Sequence, residues 1–497
     1  MSHWIIAPVV LPALVAAFMI ILFRGRLMLQ RLTSVAAVLA LNAVALALLM
    51  SATTTGAQAY FLGDWPAPFG IVLVLDRLSA LMLALGAGLG LVTVVYAIGS
   101  GWDAKGAHFH PLLQFLLMGI NGAFLTGDAF NLFVFFEVLL IASYGLMVHG
   151  GGANRLRAGL QYIAFNLVGS ALFLVALGLL YAVTGTLNLA DLAVKLPDLP
   201  EGDAALLRVA AVLLLLVFAI KGALVPLQLW LPGTYANAPG VVAAMFAVMT
   251  KVGAYAVIRF GTLVFPMDLA ATNLLYASLL LPAGLATLGI GAIGTLGATT
   301  LPRLAAFAGI ASMGTVFVAI AHFTPAATAS ALYYILHSTL ATALIFLVAD
   351  LISRRRAHSG LQDCPPVAQP GLMGALFLAA SIALAGMPPL SGFVGKLLIL
   401  DAWRDHAFAV WSAILVSSFL MILGLARAGS HLFWKPEGEA PKAKVEPVAL
   451  LATLGLVAGL VALTVFAGPV TDWLAETAEA LHDPAGYIAA NRLPTGG

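Results

Sequence analysis

LLVFAIKGALVPLQLWLP, residues 215–232, is an apolar run interrupted by one lysine, Lys221, and five residues later by a proline, Pro226. A proline removes a backbone donor and crowds the carbonyl one turn back. The segment therefore predicts a membrane helix that breaks beside a buried cation. A second segment repeats the theme with the order reversed: in LAGMPPLSGFVGKLLIL, residues 384–400, Pro388 and Pro389 come before Lys396. Helices interrupted at matching places in two halves point to a transporter with its sites near the middle of the bilayer.

Working outward, the whole chain carries the same signature. Its 497 residues are 62% hydrophobic and 9% charged, with mean hydropathy +1.05, where soluble proteins are about one quarter charged. A soluble enzyme is excluded. One cysteine, Cys364, leaves no disulfide framework, no CxxC pair and no thiolate cage for a metal cluster. A net charge of +2 offers no basic face to nucleic acid. No P-loop, H-E-x-x-H or nucleotide-binding glycine fingerprint occurs, so any transport must be driven by an ion gradient or by a partner. A span needs roughly 20 apolar residues, and the chain divides into about fourteen such stretches, from Pro8–Phe23 to Val448–Phe466. The expected fold is an all-α polytopic membrane protein. The first stretch lacks a basic leader and a cleavage site and reads as a retained span.

Loop charges predict the orientation. Loops after odd-numbered spans carry Arg24, Arg26, Arg31, Lys105, Arg155, Arg157, Arg303, Arg354, Arg355, Arg356, Lys435, Lys442 and Lys444, which is 13 of the 23 basic residues. The other side holds five: Lys195, Arg208, Arg259, Arg404 and Arg492. Under the positive-inside rule both termini lie outside the cytoplasm.

A charge at the bilayer centre costs about 2.5–3.5 kcal/mol on insertion scales and marks a functional hypothesis. Glu137, in FNLFVFFEVLLIASYGLMV (130–148), is the one acid in the middle of a span. Lys221, Lys251 in MFAVMTKVGAYAVI (245–258) and Lys396 are the deep bases. Three lysines cannot all be neutralised by one glutamate, which favours proton carriage; the alternative is a structural Glu–Lys pair with the other lysines in aqueous pockets. His337, in ALYYILHSTLATALIFLVADLI (331–352), has a side chain suited to relay protons between lysines, with a histidine hydrogen-bonded to a neighbouring helix as the equal alternative. Asp128 reads as a helix N-terminus. Asp76 and Arg77 read as interfacial, Asp350 with Arg354–Arg356 as a cytoplasmic anchor, and Asp401 and Arg404 as charges toward the outer end of the twelfth span, with an exit for protons or cations as the weaker alternative.

These segments, in this order, resemble those of the antiporter-like proteins shared by respiratory complex I and the Mrp-type multisubunit cation/proton antiporters. Within that group the chain is most similar to the D-type members of the bacterial Mrp/Pha systems. The resemblance implies two inverted five-helix repeats with broken helices 7 and 12. Residues 1–108 would form three N-terminal helices, 109–260 the first repeat (helices 4–8), 261–434 the second (helices 9–13), and 435–497 a loop, helix 14 and the tail. It implies a relay in which Glu137 is the essential glutamate, Lys221 the lysine of the broken seventh helix, Lys251 the connecting lysine, His337 the relay histidine and Lys396 the terminal lysine. Gln228 and Ser312 stand where many relatives have histidine.

The implied protein is a membrane subunit of a Na⁺/H⁺ or K⁺/H⁺ antiporter in a bacterial cell membrane. Its partners would be other subunits, lipid, protons and Na⁺ or K⁺, with no cofactor. Two alternatives are a redox-driven proton-pumping subunit of a quinone-reducing or hydrogenase complex, and a non-transporting scaffold whose charges are structural.

Overall fold

Proline positions decide where the deepest helices stop. In the computed structural model, which describes residues 2–356, 358–361, 365–441 and 446–493, helix α8 (Ala204–Lys221) ends one residue before Gly222, whose carbonyl a continued helix would press against the Pro226 ring. The chain resumes as α9 (Trp230–Asn237). Helix α14 (Pro370–Ala385) likewise ends four residues before Pro389, and α15 (Ser391–Ala402) follows. Cys364, Lys442 and Lys444 lie outside the described residues.

The remaining elements follow the apolar stretches. They are α1 (Ala7–Leu22), α2 (Leu27–Thr55), α3 (Arg77–Ser100), α4 (Phe109–Leu125), α5 (Ala129–Met147) and α6 (Ala153–Thr184). After a short α7 (Leu189–Lys195) and the broken α8/α9 come α10 (Gly240–Arg259), α11 (Leu275–Gly297), α12 (Leu301–Ile320) and α13 (Pro325–Arg356). Beyond α14/α15 lie α16 (Ala407–Gly429), α17 (Pro447–Val465), α18 (Ala467–His482) and α19 (Ala485–Ala490). Among the described residues eleven helices are long and apolar enough to cross a membrane, and three shorter apolar ones are α1, α4 and α14. The chain is a multi-pass membrane protein.

Helices α10, α12 and α13 form the interior: their most apolar windows are 100%, 89% and 83% buried, against 33% for α2 and 28% for α17. Polar side chains on the inner helices are thereby shut off from lipid, while α2, α6, α11, α16 and α17 turn one face outward. Helix α10 packs against α8 and α13, and α13 packs against α14 and α15, so α10 and α13 together join the two breaks.

Four features were not read from the sequence. Residues 58–75 contain an antiparallel hairpin of β1 (Gln58–Phe61) and β2 (Val72–Leu75). Asp76, at the start of α3, makes a two-pronged ion pair with Arg259 at 2.6 and 2.8 Å. Arg355 and Arg356 do not lie at the surface as an anchor but are 2% exposed, with guanidinium groups donating to the carbonyls of Leu351, Pro365 and Gly360. Asp350 accepts from the Tyr96 hydroxyl and the Trp102 indole at 2.7 and 3.1 Å, which ties α13 to α3. Asp128 does cap α5, accepting from the Asn131 amide.

Candidate functional site

A broken helix exposes carbonyls that no water can reach in hydrocarbon, and each must find a protein donor. At the first break the Trp230 indole donates to the Ile220 carbonyl at 3.0 Å, and the Val225 amide donates to the Thr287 hydroxyl of α11 at 2.8 Å. At the second break the Ala385 carbonyl accepts from Lys396 Nζ at 2.8 Å. The lysine thus folds back along its own helix to cap the one before it. Its second partner is the Ser418 hydroxyl of α16, 2.7 Å away.

Lys221 is the last residue of α8, so its side chain leaves the helix at the break rather than along the helix surface. Its ammonium donates to Asn166 Oδ1 of α6 at 2.9 Å and lies 5.8 Å from the centre of the Phe136 ring. A narrow cavity lined by Phe136, Leu139, Tyr162, Asn166, Trp230 and Tyr235 surrounds it. Glu137, on α5, does not reach Lys221; its carboxylate accepts from the Ser170 hydroxyl of α6. Ser170 also donates to the Asn166 carbonyl at 3.1 Å. The glutamate and the lysine therefore meet through one turn of α6, and not as a direct pair.

Lys251 is 1% exposed on α10 and has no hydrogen-bond partner among the described residues. Two residues on, Gly253 has no side chain, and a Cβ there would lie 2.7 Å from the Gly222 amide. That absence lets α10 touch the first break backbone to backbone. His337, 1% exposed on α13, pairs through Nδ1 with the Ser391 hydroxyl at 2.9 Å, at the start of α15. The structure thus gathers Glu137 with Lys221 around the first break and His337 with Lys396 around the second, with Lys251 on the helix between. None of the five hydrogen-bonds directly to another among the described residues.

The partners Asn166, Ser170, Ser391 and Ser418 were not singled out from the sequence. The signal for the first two was present: Asn166 and Ser170 are four residues apart in the otherwise apolar FNLVGSALFLVAL (165–177) and so share one helix face. Gln228 is buried beside the first break with its carbonyl oxygen unpartnered among the described residues, and Ser312 is buried on α12.

The family model described as "NADH:quinone oxidoreductase/Mrp antiporter, TM" matches residues 126–424, which hold both breaks and all five residues. The chain is 38% identical over 501 residues to a Bacillus subtilis (strain 168) protein named as the D-type component of a Na(+)/H(+) antiporter, covering 99% of each. It is 38% identical over 522 residues to a Rhizobium meliloti (strain 1021) protein named as the corresponding component of a probable K(+)/H(+) antiporter, covering 97% of this chain and 96% of that one. Among solved structures, a chain of the Mrp complex from Dietzia sp. DQ12-45-1b superposes with TM-score 0.90 at 27% identity, over 99% of this chain and 100% of that one.

Proposed function

The chain belongs to the NADH:quinone oxidoreductase/Mrp antiporter membrane family, and from that footing we propose that it moves protons along the bilayer midplane as a D-type subunit of a multisubunit Na⁺/H⁺ or K⁺/H⁺ antiporter. It is a transporter subunit rather than an enzyme, and it works alongside other membrane subunits. In this reading residues 109–260 and 261–434 are the two repeats, each built around one break. Protons enter toward Lys221, whose protonation responds to Glu137. They pass Lys251 and His337 and leave from Lys396.

One observation carries the reading. Each break holds a buried lysine, and the helices between the breaks bring Lys251 and His337 into the interior. A chain of groups that exchange protons needs buried sites whose charge can come and go. Replacement of Glu137 or Lys221 by Ala, in the assembled complex in inverted vesicles, is expected to abolish Na⁺- or K⁺-driven proton movement while the complex stays in the membrane. Antiport at wild-type rate in either variant contradicts the relay.

The loop charges support a cytoplasmic location for the α1/α2, α3/α4, α5/α6, α11/α12 and α13/α14 connections in a bacterial inner membrane. Both termini then face the periplasm. A cysteine placed at residue 2 should be labelled by an impermeant thiol reagent on intact spheroplasts and one at residue 303 should not; the opposite pattern reverses the orientation.

A further inference from the structure

Glu137 and Lys221 are the charges one expects to find in contact, yet α6 stands between them. The connection runs Glu137 carboxylate, Ser170 hydroxyl, Asn166 carbonyl, and then the Asn166 side-chain oxygen to the Lys221 ammonium at 2.9 Å. Asn166 is fixed from behind: its amide nitrogen donates to the Tyr162 carbonyl at 2.9 Å, which leaves Oδ1 facing the lysine. Tyr162 is in turn pinned by its hydroxyl to Ser143 of α5 at 3.0 Å and by stacking on Trp230 at 5.3 Å. Tyr162, Asn166 and Ser170 follow at intervals of four residues, so one face of α6 carries a ladder wedged between α5 and the first break.

The second half holds a parallel. Helices α6 and α13 are both 32 residues long, and each is the last long helix before a broken one. Tyr162 precedes Asn166 by four residues, and Tyr333 precedes His337 by four. Asn166 touches the end of α8, and His337 touches the start of α15. In the first half a neutral amide that cannot titrate stands where the second half has an imidazole.

We infer that Asn166 and Ser170 form the coupling element of the first half: a positioning pair that lets Lys221 respond to Glu137 while keeping the two from closing into a direct ion pair. This deepens the relay reading and rests on it. A neutral amide oxygen favours the ammonium less than a carboxylate does. Direct contact with Glu137 would hold the proton on Lys221, because breaking a buried ion pair is costly. The Ser170 hydroxyl has two acceptors in reach, the carboxylate and the Asn166 carbonyl, so a change in Glu137 is passed to the residue that holds Lys221. Asn166 itself carries no proton. The other titratable groups about Lys221 are Tyr162 from α6 and Tyr235 from α9, with Glu137 behind Ser170 on α5, while α10 lines the cavity with the apolar Met249 and Val252.

The test is the pH profile of antiport in vesicles containing the whole complex. Asn166→Asp puts a carboxylate against Lys221 and should move the profile to alkaline pH by about one unit or more. Asn166→Leu removes the acceptor; the rate should fall roughly tenfold or more, the weight of a hydrogen bond to a charged group, with the profile moved toward acid. Ser170→Ala deletes the hydroxyl that joins the Glu137 carboxylate to the Asn166 carbonyl and should move the profile away from that of the wild type. A merely structural role would lower the amount of assembled complex and leave the profile in place. Wild-type profiles in Asn166→Asp and Ser170→Ala overturn the inference, and if neither Asn166 variant assembles, the Ser170→Ala profile alone decides. Lys221→Ala is the companion arm. If it retains antiport, the relay reading itself fails; if it is inactive while the α6 variants titrate like wild type, only the coupling role of α6 fails.

Discussion

Gly386 occupies a place that no other residue can fill without moving Lys396. Its φ is +74°, in the left-handed region, and a Cβ there would lie 2.6 Å from the lysine Cδ and 2.9 Å from its Nζ. The residue that ends α14 therefore also leaves room for the cation that caps it. Gly101 offers the comparison, with φ +69° and nothing within 4 Å of a Cβ. Alanine at either site should cost about 1–2 kcal/mol of backbone strain. Only Gly386→Ala should also displace the ammonium from the Ala385 carbonyl and suppress antiport. Thermal unfolding of the purified complex in detergent, run beside vesicle antiport, separates the two. Equal antiport in both variants would show that the position of Lys396 tolerates the intrusion.

At the scale of the element, each break is a place where helix hydrogen bonds are given up and replaced by side-chain donors. Trp230 does this at the first break, joining the end of α8 to the start of α9 through the Ile220 carbonyl. Trp230→Phe keeps a ring to stack on Tyr162 but leaves that carbonyl with only the Ala223 amide, 3.2 Å away. Losing one of two bonds to a buried carbonyl costs about 0.5–1.5 kcal/mol, and no water replaces the donor in hydrocarbon. The variant is expected to lower the thermal midpoint of the complex and to slow antiport, because the same break presents Lys221. An unchanged midpoint would mean that another donor takes over. In the second half the substitute donor is Lys396 itself, so there the structural and the functional roles fall on one residue.

At the scale of the molecule, ion pairs at the two ends fasten the outer helices to the inner ones. Asp76, at the start of α3, holds Arg259 at the end of α10, and Arg77 beside it holds Glu476 of α18 at 2.7 Å. At the opposite end Asp103, fully buried after α3, accepts from Arg31 of α2 at 2.6 Å and pairs with His110 of α4 at 3.1 Å. Burial alone would push the Asp103 carboxyl up, but the bonds from His110 and Arg31 outweigh it and hold the group at about 2, below its ordinary 3.8. A folded-state value below the unfolded one means the stabilisation is complete above the unfolded value, near pH 4, and is lost as pH falls toward 2. The whole effect is on the order of 2 kcal/mol. Thermal midpoints measured from pH 6 down to pH 3 should fall in the wild type. Asp103→Asn should start lower and show a smaller fall over that range, and parallel curves would remove Asp103 as a cause.

Hydropathy and proline placement were enough to define a polytopic helical protein with breaks near residues 226 and 388, because the cost of burying charge and of interrupting a helix is local and readable along the chain. The depth of Glu137, Lys221, Lys251, His337 and Lys396 followed from the same arithmetic. Contact did not. Glu137 and Lys221 lie 84 positions apart, and nothing in either segment says that α6 runs between them. Arg355 and Arg356 end a helix like any basic anchor, yet they are buried, because the chain after α13 supplies the Gln369 side chain to Arg355 and the carbonyls of Pro365 and Gly360 to Arg356. The partner of Asp76, Arg259, is 183 residues away, and nothing beside Asp76 announces it. What the sequence determined is which groups must be shielded from lipid; which neighbour shields each was decided only when the helices packed, since a buried polar group takes whatever partner the tertiary arrangement brings within reach.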